Sequence, residues 1–318
     1  MNQVKKVNIV FMVSAIMPYI ARLFLELTGL RIHNSLQEIL FSQLIYVLPT
    51  IVYLCFCGMS PLKALRLKKI RISNVFLLIL FTYLISPFIS LINAISLVFS
   101  ENMISDTITD MTGEFPLILC ILAVGVVPAI CEESVYRGVL YNEYRKVNPK
   151  LAIVFSALLF GLLHQNLNQF AYAFVLGLIF ALVIEATDSI LATMIIHFVI
   201  NSTSIVLNYA LPRLYNLLER LYGSDVFDAD ALYETAMEST DKVTMIQSAY
   251  SLIIPALIGL VLAFFVFRVI AKNENRYDHV KDVFRRKEDT KGIQSLISIP
   301  LLIGIAICIY NIIRNLIG

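Results

Sequence analysis

Long apolar runs, separated by short charged segments, are the feature that most constrains how this chain can fold. A helix needs about 20 apolar residues to cross roughly 30 Å of hydrocarbon. Runs near that length lie at residues 7–27, 38–57, 75–99, 115–131, 151–166, 168–186, 189–210, 248–271 and 293–317. The sequence therefore predicts an all-α fold, a polytopic transmembrane helix bundle of about nine spans.

The composition agrees with a membrane protein. Of the 318 residues, 58% are hydrophobic and 15% are charged, whereas a soluble domain carries about 25% charged residues. The five cysteines all fall in or beside apolar runs, which argues against a disulfide framework or a four-cysteine metal site. We therefore expect an integral, multi-pass protein of the plasma membrane, whose first span is retained and not cleaved as a signal peptide.

The positive charges predict the direction in which the chain crosses the membrane. Lysine and arginine are retained in cytoplasmic loops, and with a cytoplasmic N-terminus seventeen of them fall in inner segments against five in outer ones. The outer loops are acidic instead. We expect the basic inner segment 272–292 to lie against anionic lipid headgroups. Acids are interleaved in that segment, so membrane lipids are expected partners and nucleic acid is not.

One apolar run is followed directly by the charged stretch CEESVYRG, Cys131 to Gly138. An ionised group near the middle of a bilayer costs roughly 2.5 to 3.5 kcal/mol, so such a cluster indicates a function. Side chains four apart share a helix face, which makes Glu133 and Arg137 natural ion-pair partners. Glu132 then stays unpaired and is the predicted reactive acid, with Glu133 and Arg137 as its structural support.

Two further apolar spans carry histidine, in FGLLH ending at His164 and in HFVIN, where His197 and Asn201 lie one turn apart. With a rise of 1.5 Å per residue from the inner ends, Glu132 lies about 20 Å deep and His164 about 21 Å deep. His197 and Asn201 lie at about 12 and 18 Å. The sequence therefore predicts that the depths of these groups agree to within roughly one or two helical turns.

This convergence requires the fourth helix to continue beyond its apolar part, from about Phe115 to Tyr144. Pro128 lacks an N–H and crowds the carbonyl four residues earlier, so we expect a kink just before the glutamates. The charged half of this helix must then face protein or water.

The three motifs resemble those of a known family. Glu-Glu-x-x-x-Arg at 132–137, Phe-x-x-x-His at 160–164 and His-x-x-x-Asn at 197–201 occur in the order found in the CPBP intramembrane proteases. That family includes the type II CAAX prenyl endopeptidase, the bacterial Abi proteins and proteins similar to lysostaphin resistance protein A. The resemblance covers about residues 112–205, and every motif position is present.

The resemblance implies an intramembrane endopeptidase that acts on a membrane-associated protein or peptide. It implies that Glu132 and His164 activate a water molecule, while His197 and Asn201 stabilise the oxyanion of the tetrahedral intermediate. Both implied roles agree with the chemistry of these side chains. A prenylated C-terminus, a signalling peptide or a bacteriocin precursor are the candidate substrates.

A metal is the open question in this mechanism. Glu132, His164 and His197 are a candidate ligand set for a catalytic zinc with one position open for water. Asparagine is an unusual zinc ligand, and the sequence has no His-Glu-x-x-His helix. We favour a water-activating glutamate without a required cofactor, and we keep zinc as the alternative.

The resemblance divides the chain into N-terminal transmembrane helices at 1–111, a catalytic core at 112–205, and an outer loop with C-terminal transmembrane helices at 206–318. Within the outer segment, DADALYETAMES predicts a short amphipathic helix. Both flanking parts lie outside the resemblance, so the motifs alone do not define the substrate.

Two other classes of function stay open. A non-catalytic membrane scaffold or bacteriocin-immunity protein with the same fold would be indicated by lost motif residues, and all of them are present. A transporter or proton relay would be favoured by inverted repeats or by broken helices in matching halves. The sequence shows neither pattern.

Four polar residues outside the motifs have simpler interpretations. His33 and His279 lie in polar connections and are expected to be solvated. Glu185 and Asp188 lie near the inner surface, where we expect them to cap helices or to be solvated. Asp188 and Ser189 suit the N-terminus of the seventh span.

Overall fold

A computed structural model describes residues 3–56, 58, 60–223, 242–285 and 296–317 of the chain. These residues form helices joined by turns and short loops. In chain order the helices are α1 (Gln3–Thr28), α2 (Ser35–Phe56), α3 (Pro61–Ala64), α4 (Ile72–Leu97), α5 (Ser105–Glu114), α6 (Leu117–Tyr144), α7 (Pro149–Leu163), α8 (Leu167–Thr187), α9 (Ile190–Tyr222), α10 (Lys242–Asn273), α11 (Tyr277–Arg285) and α12 (Ile299–Ile317). The predicted all-α, polytopic helix bundle is confirmed.

Eight helices of the described chain are long and apolar enough to cross a membrane. All nine predicted runs contain a helix, but α7 has only 15 residues. At 1.5 Å per residue it is about 22 Å long, which is short of the hydrocarbon thickness. The expected fifth full span is therefore a short helix, and the turn after it, which carries His164, lies inside the bundle.

The fourth predicted span continues through the charged residues, as expected. α6 runs from Leu117 to Tyr144, with π-helical stretches at Ile121–Val126 and Ser134–Tyr141 on either side of the two glutamates. A π-helical stretch inside a helix shifts the register of its side chains. Every residue of this helix from Ser134 to Tyr141 is buried.

Close helix pairs hold the bundle together around α6. α4 packs along α10, α7 along α8, and α1 along α2 and α12. Gly259 of α10 lies against the Leu84 carbonyl of α4, so closely that an added Cβ would stand 2.2 Å from that oxygen. Small residues of this kind let membrane helices approach closely, which is where van der Waals packing is strongest.

Glu185 is neither solvated nor a helix cap, so that expectation is wrong. Its carboxylate is buried at the end of α8 and accepts hydrogen bonds from Tyr141 (2.6 Å) and Arg145 (2.8 Å). His279 of α11 lies 2.5 Å from the same carboxylate, and Arg276 lies 3.7 Å away. His279 is partly exposed, as expected, with 37% of its side chain accessible, but it also pairs with Glu185, because a buried carboxylate needs such partners.

Asp188 extends this arrangement at the start of α9. It pairs with Arg66 and Lys68 from the loop after α3, and its backbone is left-handed, with φ of 56°. Ser189 is the N-cap of α9 and accepts a hydrogen bond from the Leu191 N–H, so the prediction of a helix start here is confirmed. Burial and the nearby Arg145 lower the pKa of Arg66 to about 10.

Some expectations fall outside the described residues. The predicted amphipathic helix DADALYETAMES occupies residues 228–239, and Cys57 also lies outside the described chain. Cys55, Cys120, Cys131 and Cys308 carry free thiols. In the basic segment 272–292, α11 accounts for the described part, and residues 286–292 are not described.

Candidate active site

A cavity of about 510 Å³ inside the bundle is lined by Glu132, His164, His197 and Asn201. These residues come from α6, from the turn after α7 and from α9. The structure thus brings together all four groups that the sequence assigned to one site. Their catalytic roles stay a prediction.

Glu132 is partly open to this cavity, with 17% of its side chain exposed. Its Oε1 accepts a hydrogen bond of 2.9 Å from Nε2 of Gln43 on α2. Sequence analysis missed Gln43, although a lone amide within an apolar span was a usable signal. The amide fixes one carboxylate oxygen of Glu132 and leaves the other facing the cavity.

Glu133 and Arg137 form the ion pair that their spacing predicted. Nη1 of Arg137 lies 3.1 Å from Oε1 of Glu133, and both side chains are fully buried. The guanidinium lies between two aromatic rings, 4.2 Å from the centroid of Phe160 and 4.8 Å from that of Phe180. Aromatic faces attract cations, most strongly where water is excluded. Phe160, the first residue of the second motif, therefore helps to hold the charge pair.

His197 connects the two glutamates. Its Nδ1 lies 3.1 Å from Oε1 of Glu133, and its Nε2 lies 3.8 Å from Oε2 of Glu132. A carboxylate paired with arginine only accepts hydrogen bonds, so we assign the Nδ1 proton to the bond with Glu133. Nε2 then points toward Glu132 and the cavity. Glu133 supports the site by orienting this imidazole as well as by neutralising Arg137.

His164 follows the last residue of α7. Its Nδ1 lies 2.9 Å from the Phe160 carbonyl, which fixes the proton on Nδ1 and leaves Nε2 as an acceptor. The next residue, Gln165, has a left-handed backbone with φ of 54°. The α12 side chains of Asn311 and Asn315 donate to the Gln165 side-chain oxygen (2.8 Å) and carbonyl (3.0 Å). Non-helical backbone at membrane depth needs such partners.

Asn201 is positioned by the proline of α6. Pro128 has no N–H to offer the carbonyl of Val124, four residues earlier, and Asn201 Nδ2 donates to that carbonyl at 2.9 Å. The amide is thereby fixed one turn beyond His197 on α9. Its second N–H is available to a group in the cavity.

The candidate zinc ligands are not arranged as a metal centre. Among the described residues, no group of three His, Cys, Asp or Glu side chains is placed to hold a metal ion. The bond from His197 Nδ1 to Glu133 and the bond from the Gln43 amide to one oxygen of Glu132 leave Nε2 of His197 and the other Glu132 oxygen toward the cavity. We derive no step through a zinc ion.

These features define a class: a polytopic, all-helical membrane protein with a carboxylate, two imidazoles and an amide around one internal cavity. Residues 114–203 match the family model described as Type II CAAX prenyl endopeptidase Rce1-like. The match contains all three motifs and confirms the resemblance to the CPBP family. No curated protein and no solved structure matches the chain. The helices and the family match together indicate an integral, multi-pass membrane protein whose residues 114–203 are similar to intramembrane proteases of the CAAX type.

Proposed function

We propose that this protein is an intramembrane endopeptidase that hydrolyses a peptide bond in a membrane-associated protein or peptide. The observation that carries the proposal is the meeting of Glu132, His164, His197 and Asn201 at one cavity, from three separate parts of the chain. The 114–203 family match supports the same activity.

Glu132 is the proposed general base, acting with Nε2 of His164. A water molecule between them loses its proton to Glu132 as its oxygen attacks the substrate carbonyl carbon. The proton then passes to the leaving amine as the C–N bond breaks. A positioned base of this kind contributes about 10²- to 10⁴-fold to the rate.

The oxyanion that forms is stabilised by His197 and Asn201. Nδ1 of His197 already donates to Glu133, so a donor at Nε2 requires the doubly protonated ring. The carboxylate oxygens of Glu133 and Glu132 lie 3.1 and 3.8 Å from the two ring nitrogens. Donors that are fixed before the reaction stabilise developing charge without reorganising.

The test compares membrane peptides released in cells that carry wild type, Glu132→Gln or the triple variant Glu132→Gln/His164→Ala/His197→Ala. The matched controls are Glu26→Gln and His33→Ala at exposed positions. We expect the site variants to be inserted normally and to release none of the peptides, and the controls to release them all. Release by the triple variant at the wild-type level would overturn the proposal. A parallel sample with a chelator tests for metal dependence.

A further inference from the structure

The cavity is confined to one end of the bundle. Its lining residues from α2 lie between Ile39 and Val47, from near the start of that helix to just past its middle, and those from α8 lie between Asn168 and Leu176, in the first half of that helix. The lining residues from α4 lie between Ile89 and Asn93, near its end. Since α4 runs opposite to α2 and α8, these segments share one end of the bundle. The cavity continues there to Asn102 and Asn208, which are both exposed.

The opposite end is closed by packed protein. Every residue of α6 from Ser134 to Tyr141 is buried. Leu65, in the loop after α3, lies so close to Gly138 that an added Cβ would stand 2.5 Å from its side chain. Beyond Tyr141 lies the ion-paired group around Glu185. The cavity reaches α6 only as far as Val135 and Tyr136; among the described residues, no lining residue comes from Arg137–Tyr141, from the loop after α3 or from the group around Glu185.

The two ends differ in charge. The closed end carries the basic segments, including Lys63–Arg71 and Arg145–Lys150. The open end carries four exposed acids beside Asn102, in the loop before α5 and in α5 itself: Glu101, Asp106, Asp110 and Glu114. Positive segments stay on the cytoplasmic side of a membrane. The open end is then the extracytoplasmic one.

We infer that the active site is loaded from the extracytoplasmic face, and that its substrate is an extracytoplasmic segment of a membrane-associated polypeptide. This inference rests on the proposed endopeptidase function and gives that function its substrate class. A prenylated C-terminus is presented in the cytoplasm, and it would have to pass the closed end.

The chemistry of the cavity wall fits an internal peptide segment. Amide and hydroxyl side chains line the way from the rim to Glu132, namely Ser42, Ser90, Asn93, Asn168, Gln169 and Ser204. Such groups pair with the N–H and C=O groups of an extended peptide. Among the described residues, no lysine or arginine lines the cavity, so a terminal carboxylate would meet Glu132 without either of these side chains to offset the repulsion.

The first part of the test is thiol labelling of intact cells with a membrane-impermeant maleimide. Asn102→Cys and Asn208→Cys report on the rim, Lys63→Cys reports on the basic end, and wild type gives the background from the native cysteines. We expect the rim cysteines to be labelled at least ten-fold more than Lys63→Cys, and Lys63→Cys to be labelled only after permeabilisation. The reverse pattern would overturn the inference, and it would do so whether or not the protein is a protease.

The second part measures function at the same positions. After labelling of intact cells, we expect Glu132-dependent peptide release to fall at least ten-fold in Asn208→Cys and to stay unchanged in Lys63→Cys. Unchanged release from fully labelled rim variants would also overturn the inference. Failure of the endopeptidase proposal would give a different result, because peptide release would then not depend on Glu132.

Discussion

The two ends of this bundle differ in how many partners surround a carboxylate inside the protein. At the basic end, Glu185 is 1% exposed and is surrounded by Tyr141, Arg145, Arg276 and His279. At the cavity end, Glu132 accepts one hydrogen bond among the described residues, from Gln43, and the rest of its carboxylate faces open space. A fully partnered carboxylate stabilises the fold, whereas a partly partnered one is free to exchange a proton.

Glu133 combines features of the fully partnered Glu185 and the partly partnered Glu132. It is buried and paired with Arg137, yet it also holds His197, which faces Glu132. The charge pair therefore links the structural part of α6 to the reactive part. Variants of these residues should therefore separate a loss of activity from a loss of stability.

The largest expected effect is on activity. Glu132→Gln keeps the size of the side chain and an acceptor for Gln43 but removes the base, so we expect the cleavage rate to fall about 10²- to 10⁴-fold. The thermal unfolding midpoint in detergent should stay within about 2 °C of wild type. Glu26→Gln, an exposed glutamate near the end of α1, serves as the control and should change neither quantity. A stable variant that retains its rate would show that Glu132 is not the base.

The next effect is on stability. Arg137→Met removes the cation but fills similar space, and it leaves Glu133 charged and buried. Breaking a buried pair in this way costs about 3 to 5 kcal/mol, which should appear as a much lower unfolding midpoint. Arg22→Met removes the cation of an ion pair that is exposed on both sides, and we expect less than about 1 kcal/mol there. Equal stability of the two variants would contradict the structural role of Glu133 and Arg137.

A smaller loss of stability is expected at the basic end. Glu185→Gln leaves Arg145, Arg276 and the nearby Arg66 without their shared counter-charge. Because Arg145 and Arg276 are partly solvated, we expect about 2 kcal/mol, less than for a fully buried pair. Activity per folded molecule should stay within two-fold of wild type. Asp278→Asn, at a side chain 90% exposed, is the control, and an activity loss in Glu185→Gln at normal stability would contradict the division of roles.

Much of this arrangement could be predicted from the sequence because its signals are local. Apolar runs predict the helices, and the spacing of Glu133 and Arg137 predicts their pair. Pro128 marks the point on α6 where a backbone carbonyl needs another donor. The order of the three motifs indicated which spans meet, since the family pattern already contains that tertiary information.

The parts that could not be predicted depend on contacts between distant residues. Gln43 reaches Glu132 across 89 positions of sequence, and Glu185 lies 94 positions from His279. Neither pairing can be read from a local pattern, so His279 was interpreted as solvated, and the lone amide of Gln43 gave no indication of the residue that it binds. The run predicted at 151–166 also ends three residues early, as α7 ends at Leu163, because the apolar sequence continues to the turn at His164 without a marked break.

The smallest predicted effect concerns that turn, and it tests whether the C-terminal helix takes part in the site. Asn311 of α12 donates to Gln165, the residue after His164, and accepts from Tyr19 of α1 at 2.5 Å. Asn311→Ala removes both hydrogen bonds, each of which contributes about 0.5 to 1.5 kcal/mol. His164 would then be held less firmly, and we expect kcat to fall about ten-fold with KM nearly unchanged. Tyr310→Ala, on the exposed side of the same helix, should leave kcat at the wild-type value. A rise in KM alone would place Asn311 in substrate binding, whereas a loss confined to kcat places it behind His164, as a positioning residue contributed from outside the family core.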